Sequence, residues 1–316
     1  MAAYILRRLA SLVLVFLIIG IVVFALIHLT PGDPAAVMLG GNGTPQQIAQ
    51  LRHQLGLDKP IEVQFFSWFW GVLHLNFGNS IFLDEPVTHA LAQRAEPTLL
   101  LTIYALLFQI VIGIPAGVIA AIRRNSWLDR LLMVGAISGM AIPTFFLGIL
   151  LILFFAVRLR WLPAGGYVSI TADPAQHFKS MLLPSFTLGF ASAGLLARLV
   201  RSSMLDVMKE DYVRTAMAKG VAHQTVVVRH ALRNALIPAI TVVGFSVGAL
   251  LGGAVVTETV FTIPGMGRLV VQSIARRDFP VIQGAVMMIA AGYVLVNLLV
   301  DILYVYTDPR IRYGGH

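Results

Sequence analysis

Cysteine is absent from this 316-residue sequence, and charged residues make up only 12% of it. Without cysteine the chain has no disulfide framework, no cysteine-ligated zinc or iron–sulfur site and no thiol nucleophile. Charged residues are about half as frequent as the roughly 25% typical of soluble domains. Because 58% of the residues are hydrophobic, the composition excludes a disordered chain, argues against a soluble enzyme and favours a chain largely surrounded by lipid.

Motifs for common chemistry are also missing. The sequence contains no G-x-x-x-x-G-K-[ST], no H-E-x-x-H and no G-x-S-x-G, and its eight histidines lack metal-ligand spacing. It therefore lacks the patterns typical of a phosphate-binding loop, a zinc hydrolase and a serine hydrolase. The Gly265-Met266-Gly267 run is too short for a dinucleotide fingerprint and predicts a turn. We expect no cofactor, no metal and no catalytic residue on this chain.

Long hydrophobic runs are what the sequence does contain. A membrane-spanning helix needs about 20 mainly apolar residues. Six segments qualify, at about residues 9–29, 98–122, 131–157, 181–197, 235–256 and 281–305. The fourth is the weakest, because Pro184 and Ser185 interrupt its start. The sequence thus predicts an all-α integral membrane protein with six transmembrane helices.

The distribution of positive charge predicts the orientation in the membrane. Six spans place both termini on one side, and that side carries 14 of the 23 Lys and Arg residues on shorter loops. Basic residues accumulate in cytoplasmic loops, so we expect both termini in the cytoplasm. The net charge of +8 is therefore interpreted as a marker of topology, and no nucleic-acid partner is expected.

The long first outer loop suggests a division of the chain. We expect residues 1–97 to form the first span and a small folded periplasmic cap, and residues 98–316 to form a five-helix core. In the cap, Thr44-Pro45 predicts the start of a helix that Gly56 ends. The aromatic run at 65–70 is typical of a segment at the membrane surface, and a ligand-stacking aromatic box is the alternative.

The inner loop at about 198–234 is the most unusual segment. It contains seven Lys or Arg residues against three acidic ones. Asp211 is interpreted as an N-cap, residues 212–219 as a short helix and Gly220 as its left-handed C-cap, with a second helix over 225–236. A capped helix held away from the membrane suits docking into a groove on a cytoplasmic partner. A basic loop resting on anionic lipid headgroups is an equal alternative on physical grounds.

Residues 214–220, Arg-Thr-Ala-Met-Ala-Lys-Gly, together with residues 230–238, resemble the coupling loop of permeases of ATP-binding cassette (ABC) importers. The resemblance is closest to the dipeptide, oligopeptide and nickel permease branch, and it covers essentially the whole chain. The other matching segments are residues 4–9, 31–34, 55–58, 211–216, 252–267, 297–301 and 308–313. The broad family has Glu-Ala-Ala where this chain has Arg214-Thr215-Ala216, so a carboxylate contact from position 214 is not expected.

The resemblance implies the type I fold of ABC importer permeases and one permease subunit in the bacterial inner membrane. It implies di- or oligopeptides as cargo, moved from periplasm to cytoplasm by alternating access, with nickel or glutathione as alternatives. The implied partners are a second homologous permease, two ABC ATPases that carry ATP and Mg²⁺, and a periplasmic or lipoprotein substrate-binding protein. A self-contained secondary transporter or channel is the competing function. The middle of each span lacks ionisable residues, which argues against an ion-driven carrier.

Three groups of residues are predicted to carry function or structure. The capped helix and the resemblance assign ATPase coupling to Asp211, Tyr212, Arg214, Thr215, Ala216, Lys219, Gly220, His230, Arg233 and Asn234. A carboxylate at the outer edge of the fifth span, followed by a rigid turn, predicts an outer translocation gate at Glu258, Phe261, Pro264 and Gly265. Structural roles are expected for Asp301, Asp308, Pro309 and Arg310, and Asp301 is expected to pair with a basic residue at the cytoplasmic interface.

Overall fold

The computed structural model describes residues 2–29, 32–39, 43–80 and 82–307, with side chains between Ser11 and Leu299 in those ranges. This part of the chain is almost entirely helical. Its helices are α1 (Ala2–Leu29), α2 (Pro34–Met38), α3 (Pro45–Gln54), α4 (Ile61–Leu73), α5 (Val87–Ile122), α6 (Trp127–Ala141), α7 (Thr144–Leu151), α8 (Pro174–Val207), α9 (Asp211–Ala218), α10 (His223–Thr225), α11 (Arg233–Val260), α12 (Met266–Arg276) and α13 (Phe279–Thr307). Two π-helical segments extend them, Ile152–Arg158 after α7 and Val226–Leu232 between α10 and α11.

Five helical segments are long and apolar enough to cross a membrane by themselves. They are Ser11–Leu29, Val87–Ile122, Pro174–Val207, His223–Val260 and Phe279–Leu299. The fourth predicted span, the weakest in sequence, lies within α8, and 67% of its most apolar window is buried inside the protein. Its moderate hydropathy follows from this burial, because a helix surrounded by other helices contacts little lipid.

The third predicted span is not one helix. Helices α6 and α7, with the π-helical segment that follows, are bent by 109° at a short break, and they make a sixth crossing only when counted together. The break lies at Ile142, whose backbone is extended (φ −78°, ψ 124°), and Pro143. A proline lacks the N–H for the helical hydrogen bond and disfavours helical geometry in the residue before it. The span predicted over about 131–157 therefore consists of two helices that meet at Pro143.

Residues 1–96 and 264–295 form one compact unit, and residues 97–263 and 296–316 form another. The first unit has a core that includes Val23, Leu91, Leu269, Val281 and Met287. Its segment 264–295 comes from the part of the chain expected to belong to the five-helix core. The division of the chain into two domains at residue 97 stays a prediction.

The predicted helix in the cap is present. Thr44 N-caps α3: its hydroxyl accepts a hydrogen bond from the Gln47 backbone N–H at 3.3 Å, and the Gln47 side chain accepts from the Thr44 N–H at 2.9 Å. This reciprocal pair is a capping box. Gly56, with φ +66°, follows the end of the helix as expected.

The aromatic run of α4 packs mainly against its own neighbours. The rings of Phe65 and Phe69 are stacked with centroids 5.6 Å apart, and Phe24 of α1 lies 5.7 Å from Trp68. Trp70 remains 65% exposed. These contacts account for one face of α4 by packing on α1, and the exposed rings are those expected at a membrane surface.

A buried carboxylate precedes α13. Asp278 is almost fully buried, and the Ser80 hydroxyl donates a hydrogen bond to it. Burial raises the pKa of Asp278, because removing the charge from water costs more than the Ser80 hydrogen bond returns. This contact ties the loop before α5 to the start of α13, within the first unit.

Helix α8 lies at the centre of the second unit, where glycine allows neighbouring backbones to come close. A Cβ on Gly117 of α5 would lie 2.5 Å from the Ala197 carbonyl oxygen of α8, and a Cβ on Gly194 of α8 would overlap the Ala136 carbonyl oxygen of α6. Small residues at such positions are the usual means of packing helices tightly in membranes.

We predict that Gly194→Ala destabilises the protein, whereas Gly135→Ala does not. Both glycines lie inside helices, so alanine improves helix propensity by about 1 kcal/mol at either position. A Cβ at Gly135 meets open space, but one at Gly194 meets the α6 backbone, and overpacking costs about 1–3 kcal/mol. Thermal unfolding in detergent measures the difference. Equal melting temperatures for the two variants would contradict the packing described here.

Candidate functional site

The predicted coupling helix exists as α9, with a different start. The helix begins at Asp211, and its N-cap is Glu210, which makes no side-chain capping hydrogen bond. The interpretation of Asp211 as the N-cap was therefore wrong. The Asp211 carboxylate is fully exposed in the first turn, 3.9 Å from the Arg214 guanidinium. Negative charge at this end is favourable because it opposes the positive end of the helix dipole.

Helix α9 has one anchored face and one free face. Val213 and Ala216 are buried and pack against Val226 in a small cluster that also contains Val207 and Met208. The spacing of three residues places Val213 and Ala216 on the same side of the helix. Ala216, one of the residues assigned to ATPase coupling, therefore lies on the face that packs against the protein.

The rest of the α9 surface is exposed to solvent. Its exposed residues include Arg214, Thr215, Met217 and Ala218, and the following Lys219 is exposed as well. Met217 is 39% exposed and was not among the predicted site residues; it lies four residues after Val213 and therefore borders the buried face. A flexible apolar side chain flanked by charge is well suited to a docking surface.

A side-chain brace connects α9 to the start of α11. The Asn234 amide donates a hydrogen bond to the Tyr212 hydroxyl at 2.7 Å, and that hydroxyl donates to the His230 carbonyl oxygen at 3.4 Å. His230 thus takes part through its backbone. Arg233, the first residue of α11, is exposed. The structure therefore brings Tyr212 to His230 and Asn234, which lie 18 and 22 positions further along the chain.

Gly220 has the predicted left-handed conformation. Its φ is +78°, and its N–H donates to the Met217 carbonyl oxygen at 3.0 Å. A Cβ at this position would meet nothing within 4 Å, so the requirement for glycine is conformational and not steric. The second helical stretch, predicted over 225–236, starts at His223 and passes through the π-helical segment before α11.

The predicted gate residues of the second unit lie at the C-terminal end of α11. Glu258 is fully buried, and the Thr98 hydroxyl of α5 donates a hydrogen bond to it at 2.6 Å. Phe261 is buried in a cluster with Leu101, Leu188 and Ile263. Thr98 carries no motif in sequence, and its pairing with Glu258 follows only from the packing of α5 on α11.

The loop that contains Gly165 and Gly166 contacts the backbone of Phe261. The Gly166 N–H donates to the Phe261 carbonyl oxygen at 2.8 Å, and a Cβ on Gly165 would overlap that oxygen. The other two predicted gate residues, Pro264 and Gly265, belong to the first unit. There Gly265 occupies the N-cap position of α12 with an extended backbone.

The predicted structural residues near the C-terminus are described only in part. Asp301 lies on α13, but its side chain is outside the described residues, as are Asp308, Pro309 and Arg310. Within the ranges that the structure covers, no three His, Asp or Glu side chains come close enough to hold a metal ion.

The helical arrangement is that of an ABC importer permease. Two inward-facing crystal forms of the MetNI methionine ABC transporter match over 69% of this chain and 96% of theirs, with TM-scores of 0.54 and 0.57 at 19% and 20% identity. Residues 113–313 match the family of binding-protein-dependent transport system inner membrane components, and residues 1–102 match the N-terminal model of these membrane components. The chain therefore belongs to this family.

Relatives from three genera match the chain along its length. A probable peptide ABC transporter permease protein of Sinorhizobium fredii is 46% identical over 99% of this chain and 100% of its own. The glutathione transport system permease protein GsiC of Salmonella typhimurium is 47% identical, and a putative peptide transport system permease protein of Brucella abortus is 44% identical, both with the same coverage. The predicted family, the type I permease fold and the role of a transport subunit are confirmed.

We predict that Gly220→Val disrupts the end of α9 and that Gly220→Asn is much milder. A left-handed conformation costs most residues about 1–2 kcal/mol and a β-branched residue more, whereas asparagine tolerates it. Hydrogen exchange of residues 211–220 in the purified protein measures the local loss of structure. If both variants exchange like the wild type, the conformation of Gly220 does not stabilise α9.

Proposed function

We propose that this chain is one of two permease subunits of an ATP-driven importer that moves di- and oligopeptides from periplasm to cytoplasm. The observation that carries the proposal is the match, over 99% of the chain, to relatives named as peptide and glutathione permeases. Glutathione is itself a small peptide, so the same pathway would suit it. A nickel importer of the same family is the alternative cargo class.

The proposed assembly contains a second homologous permease, two ABC ATPases and a periplasmic or lipoprotein substrate-binding protein. ATP and Mg²⁺ would bind to the ATPases, in keeping with the lack of a phosphate-binding motif in this sequence. We propose that both termini lie in the cytoplasm, since the excess of basic residues falls on that side. Helix α9 would then face the cytoplasm, where the ATPases are.

The exposed face of α9 is the proposed docking surface for an ATPase subunit. Its buried face is fixed by Val213 and Ala216, and its orientation is braced by Tyr212 and Asn234. A helix held in this way can transmit a push, because it cannot roll or detach without breaking both contacts. Of the predicted residues, Arg214, Thr215 and Lys219 would touch the partner, and the remainder would position them.

The outer end of α11 is the proposed outer gate. Glu258 and Phe261 are both buried, so we propose that they shape the gate from behind: Glu258 holds α11 to α5 through Thr98, and Phe261 anchors the outer loop. The Pro264-Gly265 turn would carry the chain away from the gate into α12. The structural roles of Asp301, Asp308, Pro309 and Arg310, and the separate cap at 1–97, remain proposals of the same kind.

Isolation of the tagged chain from its native membrane tests the assembly. We expect a second permease and two ABC ATPases to co-purify, and the double substitution Arg214→Ala with Met217→Ala to reduce recovery of the ATPases by at least about tenfold. Arg158→Ala, which changes an exposed basic residue at the other end of this unit, is the control. Uptake of trialanine, glutathione and Ni²⁺ by the reconstituted complex then identifies the cargo.

A different outcome of the same experiment would favour the competing function. If the purified chain alone takes up one of these probes in response to an ion gradient, it is a secondary transporter. Recovery of the ATPases with the α9 double variant at the wild-type level would mean that α9 is not the docking surface.

The Thr98–Glu258 contact gives a separate prediction. Thr98→Val removes the hydroxyl donor while keeping the shape of the side chain, and we expect a loss of about 1–3 kcal/mol of stability together with impaired transport. Thr98→Ser keeps the donor and should behave like the wild type. Thermal unfolding in detergent and uptake in proteoliposomes measure the two effects. If the valine and serine variants were equally stable and equally active, the Thr98–Glu258 contact would have no role in the gate.

A further inference from the structure

A largely buried ion pair connects the first turn of α6 to α8. The Arg201 guanidinium donates two hydrogen bonds to the Asp129 carboxylate, from Nε to Oδ1 at 2.7 Å and from the second terminal nitrogen to Oδ2 at 2.8 Å. Only 4% of the Asp129 side chain is exposed, and 25% of the Arg201 side chain. This two-pronged geometry is among the strongest and most directional contacts that side chains form.

Two further hydrogen bonds fix the chain just before Asp129, at the start of α6. The Asn125 N–H donates to Asp129 Oδ2 at 2.9 Å, and the Ser126 hydroxyl accepts from the Asp129 N–H at 3.2 Å, which N-caps α6. Asn125 has φ +64°, a conformation that asparagine tolerates. One carboxylate therefore holds both the turn and α8, so the first turn of α6 cannot shift without breaking the ion pair.

The ion pair lies close to the coupling helix. Arg201 is six residues before the end of α8 at Val207, or about 9 Å along the axis at 1.5 Å per residue. Val207 and Met208 pack against Val213 and Ala216 of α9. A displacement of α9 therefore acts on the end of α8 as well as on the π-helical segment that contains Val226, and Arg201 lies less than two turns back along α8.

The ion pair adds a polar attachment to two helices that already pack closely. Helices α6 and α8 approach each other at Gly194, against Ala136, and again at Gly139, against Phe190. Asp129 lies seven residues before Ala136, roughly 10 Å along α6. The ion pair therefore extends the α6–α8 contact to the first turn of α6, so that this end of α6 also follows α8.

Helices α6 and α7, which meet at the bend at Pro143, form a bent pair, and its second helix, α7, reaches Phe261. Helix α7 packs against α8 and α11, and a Cβ on Gly148 would lie 3.1 Å from the Phe261 ring and 3.4 Å from Thr187. Any rotation of α6 that the bend passes to α7 is therefore delivered to the residue proposed to support the outer gate.

We propose that Asp129 and Arg201 are a positioning pair that transmits movement of α9 to the bent pair α6–α7 and so to Phe261. The inference rests on the proposed function, because it takes α9 as the ATPase-docking helix. Neither residue was singled out for this role by the sequence, since each reads there as one more charged residue in a cytoplasmic loop.

The test uses the absence of cysteine from this chain. Phe145→Cys, at an exposed site on α7, gives this chain a single thiol. Its labelling by a maleimide in the assembled complex, with and without ATP and vanadate, is followed on the separated band of this chain. We expect ATP to change the labelling rate in the wild-type background. We expect Asp129→Asn and Arg201→Lys to reduce that change by about tenfold, a size typical of coupling between sites, with basal ATP hydrolysis retained.

The control is a second acidic–basic pair near the same end of α8. Asp206 and Lys209 are 3.3 Å apart and largely exposed, so Asp206→Asn breaks an ion pair of little energetic weight and should leave the ATP-dependent labelling unchanged. Arg201→Lys keeps the charge and is the variant of choice if Asp129→Asn fails to assemble. A purely structural pair would lower the yield of complex but leave the labelling response of the assembled fraction intact.

A covalent replacement gives a second, independent measurement. In the variant Asp129→Cys with Arg201→Cys, with Phe145 retained, a bifunctional thiol reagent should restore trialanine uptake that the unlinked protein has lost. If the unlinked protein transports like the wild type, or assembled variants keep the full labelling response, the pair does not transmit movement. If ATP changes nothing in the wild-type complex, the coupling role of α9 fails, and the inference fails with it.

Discussion

The close approach of backbones around α8 is the constraint on which the second unit depends. Glycines on α5 and α8 leave no room for a side chain against Ala197 and Ala136, so three helices are held at the shortest distance that the chain allows. Lipid provides no hydrophobic drive for helices to associate, and contact of this kind replaces it. Such a core transmits displacement instead of absorbing it, because packed interiors deform little. The polar contacts at Glu258 and Asp129 can transmit displacement for the same reason, because each connects helices that are already rigid.

Helix α9, the proposed coupling segment, is attached more lightly than this core. Helix α9 contributes two buried residues and one hydrogen-bonded tyrosine, and the remainder of its surface faces solvent. The contrast suits a subunit that receives a force from outside. Its contact surface must be available to a partner, whereas the helices behind it must not yield. The division between exposed and anchored residues runs through a single eight-residue helix, so neighbouring positions in one motif have opposite tasks.

Local signals in the sequence predicted a good part of this arrangement. The short helix, the left-handed Gly220 and the helix start at Thr44 depend on neighbouring residues only, and all three are present. The start of α9 was placed one residue late because an exposed acidic residue in a first turn resembles an N-cap. Interruptions were predicted at four prolines, but only Pro143 lies at a break, whereas Pro115, Pro184 and Pro238 lie inside continuous helices. The surroundings of each proline decide whether it bends the helix. The partners of Glu258 and Asp129 are 160 and 72 positions away, so only the fold could reveal them.

The π-helical segment Val226–Leu232 has a mechanical consequence of its own. A π-helical turn contains an extra residue relative to an α-helix of the same length. If this segment became a regular α-helix, the extra residue would shift into the chain before it. That chain would then rotate by about 100° relative to α11, the angle per residue of an α-helix. The brace from Tyr212 to Asn234 spans this segment and would be broken by such a turn. The hydrogen bonds of the Tyr212 hydroxyl therefore fix the rotational setting of α11 relative to α9.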